Sequence, residues 1–520
     1  MKQILSIVFI LAIALVGCDQ KKKQLIPIQS LAQESAPTTT SVGNTGSNAN
    51  TANTNNPASV ATVSIPSSTS STATLADTQP SATVTVNPSG NTPFTYQTNT
   101  TIPVNMTVTD NQGNPVSPAT VTITNPTENN VLLQQVTDAS GNVTGTVTVP
   151  STTTQVNVTI TSGGSTSQPV VVPLQVPVTT NGTTTNQPIG SIGNVTLPIS
   201  NPTGNGTQIA DRDGDGIDDQ HDFYPDDPKK ATKIRFPATG VNTISFEDLY
   251  PNAGDADLND YVVQFYNEED LNAQGQIVEV RGAYQHVARG AGYRHKLNLL
   301  FPNTVNISYE STITDAAGVP NNTGITKFTP TAAQLDAGLT ILGNSGNTIS
   351  SQNVELNQTY APGHVAKVSV IFNTPVARSV IGSAPYNVYL QVIDTSKNIF
   401  FPGRYFDANG KDLYMDSNGF PWAIMVPGVW AWPLERQDIR NASVTGYSRF
   451  NSWATSKGVN DKDWYTTVTS GKVYPLPSEP SSLLAYLKGT ESNTNLFIAI
   501  SLAVFGISMG IILRKKLKSA

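Results

Sequence analysis

Between residues 80 and 176 apolar and polar residues alternate in one short run after another: SATVTVNP, TIPVNMTVTD, ATVTITNP, NVTGTVTVP, QVNVTITS and QPVVVPLQV. A period of two places the apolar side chains of each run on one face of an extended strand, a pattern that no helix can bury on one side. Turn-forming stretches, among them DNQGNP and DASGN, separate the runs. Several short strands at this spacing predict an antiparallel sandwich, so the fold class is mainly β. Charged residues make up only 13% of the chain, against about a quarter in an ordinary globular protein. Thr, Ser, Asn, Gly and Pro take their place, a mixture suited to extracytoplasmic β-proteins and their linkers. The net charge of −7 offers phosphate no basic surface, which argues against a nucleic-acid partner. One cysteine leaves no intrachain disulfide to form.

That cysteine closes the N-terminal segment MKQILSIVFILAIALVGC, which has a basic start and an apolar run from Ile4 to Val16. Leu15-Val16-Gly17-Cys18 resembles the lipobox of bacterial lipoproteins. The resemblance implies a signal peptide over 1–17, an acylated Cys18 as the mature N-terminus, and attachment to a membrane of the cell envelope. The other end carries LFIAISLAVFGISMGIIL, Leu496 to Leu513, followed by the basic tail RKKLK at 514–518. A helix of that length spans about 27 Å, close to the roughly 30 Å hydrocarbon core. It reads as a transmembrane helix with a cytoplasmic basic tail, either a second anchor or a sorting signal that is later removed.

Residues 18–79 are rich in Ser, Thr and Asn without apolar periodicity and read as a disordered tether, with a reach on the order of 40–45 Å. The sandwich follows over 80–176; its VTDNQGNP and VTDASGNVTGTVTVP hairpins resemble bacterial immunoglobulin-like modules, which implies a spacer or an adhesive surface. Further linkers are expected at 177–210 and 476–495.

Six aspartates fall within DRDGDGIDDQHD, residues 211–222. With Asp211 as position 1, Asp213, Asp215, Asp219 and Asp222 stand at 3, 5, 9 and 12, with Gly216 at 6 and the carbonyl of Ile217 at 7. Oxygen ligands at alternate positions, a glycine for the sharp turn and a closing carboxylate are what a calcium loop requires. The stretch resembles a thrombospondin type-3 repeat over 211–228, which implies structural Ca2+. A solvated acidic turn is the plainer reading.

Residues 230–475 hold all five tryptophans and predict the largest core. The segment FEDLYPNAGDADLNDYVV near its start and VWAWPLERQDIRNASVTGYSRFNSWATSKGVNDKDWY at 429–465 resemble the two ends of the LruC domain of bacterial lipoproteins. That family implies a β-rich domain and names no activity. Glu247, Asp248, Asp255, Asp257, Asn259 and Asp260 lie within fourteen positions between strand-like VNTISF and YVVQFY, so they are expected to converge on a second calcium ion. His286 and His295 have no third ligand at zinc spacing and are expected on strand faces near Arg289 and Arg294. The stretch 407–422, with Asp407, Asn409, Asp412, Asp416 and Asn418, fits two turns or a third metal loop. A helix is expected near 434–457, with Leu434, Ile439, Phe450 and Trp453 on one face.

No nucleophile elbow, phosphate loop or dinucleotide fingerprint is present. The expected function is that of a membrane-anchored, exported lipoprotein, non-enzymatic, with structural calcium, that binds an envelope or host macromolecule. The alternative is an envelope polysaccharide hydrolase working from the acids at 247–260, which would need two carboxylates about 5–9.5 Å apart in a cleft.

Overall fold

A computed structural model describes residues 61–64, 75–86, 94–180, 183–200, 202, 210–252, 254–290, 292–315, 320–478 and 483. Cys18, the tether up to residue 60 and the segment 496–513 lie outside the described residues. Among the described residues no helix is long and apolar enough to cross a membrane.

The alternating runs form two sheets that share one core. The first sheet runs Ala61–Ser64, Ser81–Val86, Thr183–Thr196, Asn99–Thr109 and Asn142–Pro150, with Gln175–Thr180 paired to Thr183–Thr196. The second runs Asn130–Val136, Thr120–Asn125, Gln155–Ser162 and Ser165–Thr166, with Val170–Pro173 also on Gln155–Ser162. Val84, Val104 and Val147 from the first sheet pack with Val121, Val158 and Val172 from the second, all without solvent exposure.

The sandwich does not end at 176. Thr183–Thr196, expected to be linker, is a strand inside the first sheet, parallel to Asn99–Thr109. Register shifts between Ile189 and Ser191 and between Ile192 and Val195 break the period of two. The core residues Ile189, Ile192, Val195 and Leu197 therefore fall at spacings of three, three and two, and alternation alone misses them.

The second domain is also built of two packed sheets. Seven of its eight large-sheet strands run Pro320–Phe328, Ile307–Thr314, Val365–Val376, Ile277–Ala288, Tyr261–Leu271, Asn242–Phe246 and Ala423–Pro427. The eighth, Thr232–Phe236, pairs with the far half of Tyr261–Leu271. The four-stranded sheet is Leu339–Leu342, His295–Leu300, Asn387–Val392 and Lys397–Ile399. All these pairs are antiparallel. Tyr261, Val263, Phe265, Ala423 and Met425 point into the core between the two sheets. Their neighbours Val262, Ile424 and Val426 point the other way, into an aromatic core with Trp430, Trp432, Trp453 and Trp464. Burial on both faces explains the unbroken apolar runs of these strands.

That second core is made by turns more than by helix. Only Phe450–Thr455 is helical in the stretch where a helix over 434–457 is expected. The amides of Leu434, Glu435 and Ile439 donate instead to the carbonyls of Lys472, Val354 and Ala256, so these three are lost to an i to i−4 ladder. Phe94 and Tyr96 reach into the same core from the sandwich side, and residues 96–98 bond to Met425 through backbone atoms. Beyond 478, Leu483 is also docked: it is buried, and its amide donates to Gln285 Oε1 at 2.9 Å.

Candidate metal centres

The acidic loop after Asn242–Phe246 is buried. Glu247 and Asn259 have no solvent exposure, Asp257 and Asp248 almost none, and Asp255 stands at the half-exposed rim. One carboxylate oxygen each from Glu247, Asp255 and Asp257 lies within 4.8 Å of the others. Backbone amides satisfy part of the set: Leu258 N–H donates to Glu247 Oε2 at 3.3 Å, and Arg436 N–H donates to Asp257 Oδ2 at 2.7 Å. Glu247 Oε1 and Asn259 Oδ1 are buried without any hydrogen-bond partner. The backbone is strained where this happens. Ala256 and Leu258, both buried, sit at φ 55° and 56°, between the acids at 255, 257 and the amide at 259. Non-glycine residues adopt that conformation at a cost of about 1–3 kcal/mol each, and such costs gather at functional sites. Gly254 suits the same turn, because its φ of 57° is a conformation that side chains rarely adopt.

The electrostatics are one-sided. Burial first, then Asp257, Asp255 and Asp248, push the Glu247 carboxyl well above the usual carboxylate range. Burial and Asp255 push Asp257 up to about 8. Asp260 is likewise raised, by burial and then by Glu247, Asp248 and Asp257.

Asp248 and Asp260 stand beside the triad rather than in it. Asp260 Oδ2 accepts the amide of Asp248 at 2.8 Å, while Asp248 Oδ2 lies 2.9 Å from His295 Nε2. His295 is thus tied to the acidic loop, which sequence reasoning missed. The two residues are 47 positions apart, and only the stacking of the small sheet on the large one brings them together. The far ring nitrogen of His295 lies 3.2 Å from Ser345 Oγ. Asp248, His295 and Ser345 follow the order of a hydrolytic triad, yet all three are buried. His286 lies on its strand as expected, stacked on Tyr261 at 4.0 Å and bonded to Thr348 Oγ1 at 2.6 Å.

In the loop 211–222 the structure brings together Asp211, Asp213 and Asp215, again with one oxygen each within 4.8 Å. Asp213 Oδ2 and Asp215 Oδ2 are shielded and unpartnered. Asp211 accepts the amides of Gly214 and Gly216, at 2.8 and 3.1 Å. Gly216 has φ 101°, which fixes the turn as one for glycine. Burial, and then Asp215, Asp213 and Asp211, raise Asp222 to about 6, so its carboxylate feels the same cluster. Asp219 departs from its expected place and pairs with Arg212 Nε at 3.1 Å. Ile217 is fully buried with Ala231 and Ala273 of the second domain, against Val136 of the sandwich. Gln134 Nε2 donates to His221 O at 2.9 Å, and Tyr224 donates to Asp270 Oδ1 at 2.6 Å. Expected as a calcium-ordered loop, this stretch is wedged between the two domains.

The stretch 407–422 forms two turns. Asp407 Oδ1 accepts the amides of Asn409 and Lys411, and Asp416 Oδ1 those of Asn418 and Phe420. Asp412 bonds to Gly403 and Tyr414, so these acids do not converge.

Fold and site together define a mainly β chain of two sandwiched domains with converging buried carboxylates. Residues 275–465 match a family described as a domain of unknown function, DUF4842. The matched range takes in His295 and Arg436 and leaves out the acidic loop itself. No curated protein matches the chain. Among solved structures, a protein described as a "putative lipoprotein" from Bacteroides ovatus is similar over 69% of this chain and 100% of its own, with 15% identity and a TM-score of 0.43.

Proposed function

We propose that this protein is a calcium-stabilised lipoprotein of the bacterial cell envelope that acts as a binding or structural protein, not as an enzyme. The observation that carries the metal reading is Glu247 Oε1, a carboxylate oxygen without exposure or partner, facing acids of its own sign. A buried carboxylate left so is costly, and a cation among Glu247, Asp255 and Asp257 removes the cost. The donors are all hard oxygens, which suits calcium and not zinc or copper. Asn259, Asp248 and Asp260 then brace the loop. Calcium at 211–222, held by Asp211, Asp213 and Asp215 with Asp222 close by, serves a different purpose and fixes the wedge between the domains. The thrombospondin type-3, immunoglobulin-like and LruC resemblances fit these roles of calcium loop, spacer and main body.

The hydrolase reading finds less support. Its two acids need separation across an open cleft, whereas Glu247 and Asp257 converge and are buried. Calorimetric titration of the full-length protein with calcium tests the metal reading; absence of heat at millimolar calcium would overturn it.

Two further results are expected. Cys18→Ser should abolish acyl labelling and the removal of residues 1–17, and unchanged labelling would rule out the lipobox. Millimolar calcium should slow proteolysis within residues 205–230, by preferential binding to the ordered loop. Asp213→Ala with Asp215→Ala should remove that protection while leaving the calcium response of the buried centre intact.

A further inference from the structure

We propose that the cleft between the sandwich and the second domain binds a neutral saccharide, one pyranose-sized ring at a time. A cavity of about 210 Å³ lies there, walled on one side by Asn99 and Glu128 and on the other by Phe236, Thr239 and Asn242. Drug-sized sites run from about 300 Å³ upward, so this one has room for a single small ring.

The polar groups in this wall are uncommitted. Among the described residues the side chains of Asn99 and Thr239 have no hydrogen-bond partner in the protein. Glu128 accepts one bond, from Asn125 Nδ2 to its Oε2 at 3.1 Å. Asn242 uses only its oxygen, which accepts the amide of Gly428 at 3.3 Å. Donors and acceptors from both domains therefore face one space.

The charges select the ligand. Arg235 also borders the cavity, but its guanidinium is spent: it donates to Pro237 O at 2.6 Å and Gly240 O at 2.7 Å and lies 4.5 Å from the centre of the Tyr266 ring. No free fork remains for a phosphate or carboxylate, and Glu128 repels both. An apolar ligand would strand the amides and hydroxyls. A sugar ring supplies hydroxyls for Asn99, Glu128, Thr239 and Asn242, and a C–H face for Phe236. This inference is independent of the metal reading.

The test uses the full-length protein in a non-glycosidic detergent, with the methyl glycosides of glucose, galactose, mannose and N-acetylglucosamine as probes in saturation-transfer NMR, and a glycan array beside it. At least one probe or glycan should bind. Asn99→Ala should weaken that binding about tenfold at an unchanged melting temperature. Thr239→Trp, which fills the cavity, should abolish it. Should Thr239→Trp fail to fold, Asn99→Ala decides alone. No binding to any probe or glycan would overturn the proposal and leave a water-filled seam. Undiminished binding by folded Thr239→Trp, or by Asn99→Ala, would place the sugar elsewhere and overturn it equally.

Discussion

In chelator, the protein should melt at a higher temperature at about pH 5 than at about pH 8, and calcium should narrow the gap by raising the pH 8 value more than the pH 5 value. The reason lies in Asp257. Its carboxyl is raised from the ordinary 3.8 to about 8 by burial and by Asp255. A carboxyl raised in the folded state stabilises the fold fully below its unfolded value, and that contribution is lost as pH climbs through the folded value. The window is therefore about pH 4 to 8, and the span is worth roughly 5 kcal/mol. Glu247 and Asp260 are raised in the same direction and add to the slope. Calcium needs the same acids ionised, so its stabilisation grows as theirs fades. At calcium about a hundredfold above the dissociation constant the gain is about 2.7 kcal/mol per site, or roughly 5–10 °C for a domain of this size. Glu247→Gln with Asp257→Asn should remove the calcium response of this centre. In chelator at about pH 8 that variant should melt above the wild type, because the repulsion has gone. A wild type that melts alike at both pH values and ignores calcium would show that a fixed internal cation or protons already neutralise the loop.

How much of this could be read in the sequence depends on whether the signal was local. Most strands over 80–176 were legible because they have one buried face that alternation marks; Asn130–Val136, with Leu132, Leu133 and Gln134 buried in succession, was not. The clustering of acids within 211–222 and 247–260 was legible because spacing within a loop is local too. Two kinds of information were not. Thr183–Thr196 hides its core residues behind register shifts. The turns at 434–449 hide theirs because their amides bond to segments at 256, 354 and 472, far along the chain.

The site divides in the same way. Sequence spacing picked out Asp211, Asp213 and Asp215 together with Glu247, Asp255 and Asp257, but it assigned Asp219 and Asp260 as ligands on the same footing. Asp219 is claimed by Arg212, and Asp260 by the amide of Asp248. His295 beside Asp248, and Ile217 wedged against Val136, arise from how sheets and domains pack. No periodicity within a loop encodes either contact.

The seam between the domains yields the other large effect: Arg378→Ala should cost about 3–5 kcal/mol, a fall in melting temperature of roughly 10 °C. Arg378 opens the short helix Arg378–Ile381, and its side chain is only 10% exposed. It donates to Glu269 Oε2 through both Nε and Nη2, and through Nη1 to Thr146 O of the sandwich at 2.5 Å. Glu269, with 7% side-chain exposure, also accepts the hydroxyl of Tyr386 at 2.9 Å. Removing the guanidinium leaves a buried carboxylate with one neutral donor, and it also cuts the bond to the sandwich. The larger part of the loss is the stranded charge rather than the worth of the pair, so a second substitution should restore much of it. Arg378→Met combined with Glu269→Gln should melt well above Arg378→Met alone, because the neutral amide introduced at position 269 still accepts from Tyr386. If the double variant is no more stable than the single one, the cost lies in the bond to Thr146 and in packing. Arg378 would then hold the two domains together chiefly through its contact with the sandwich.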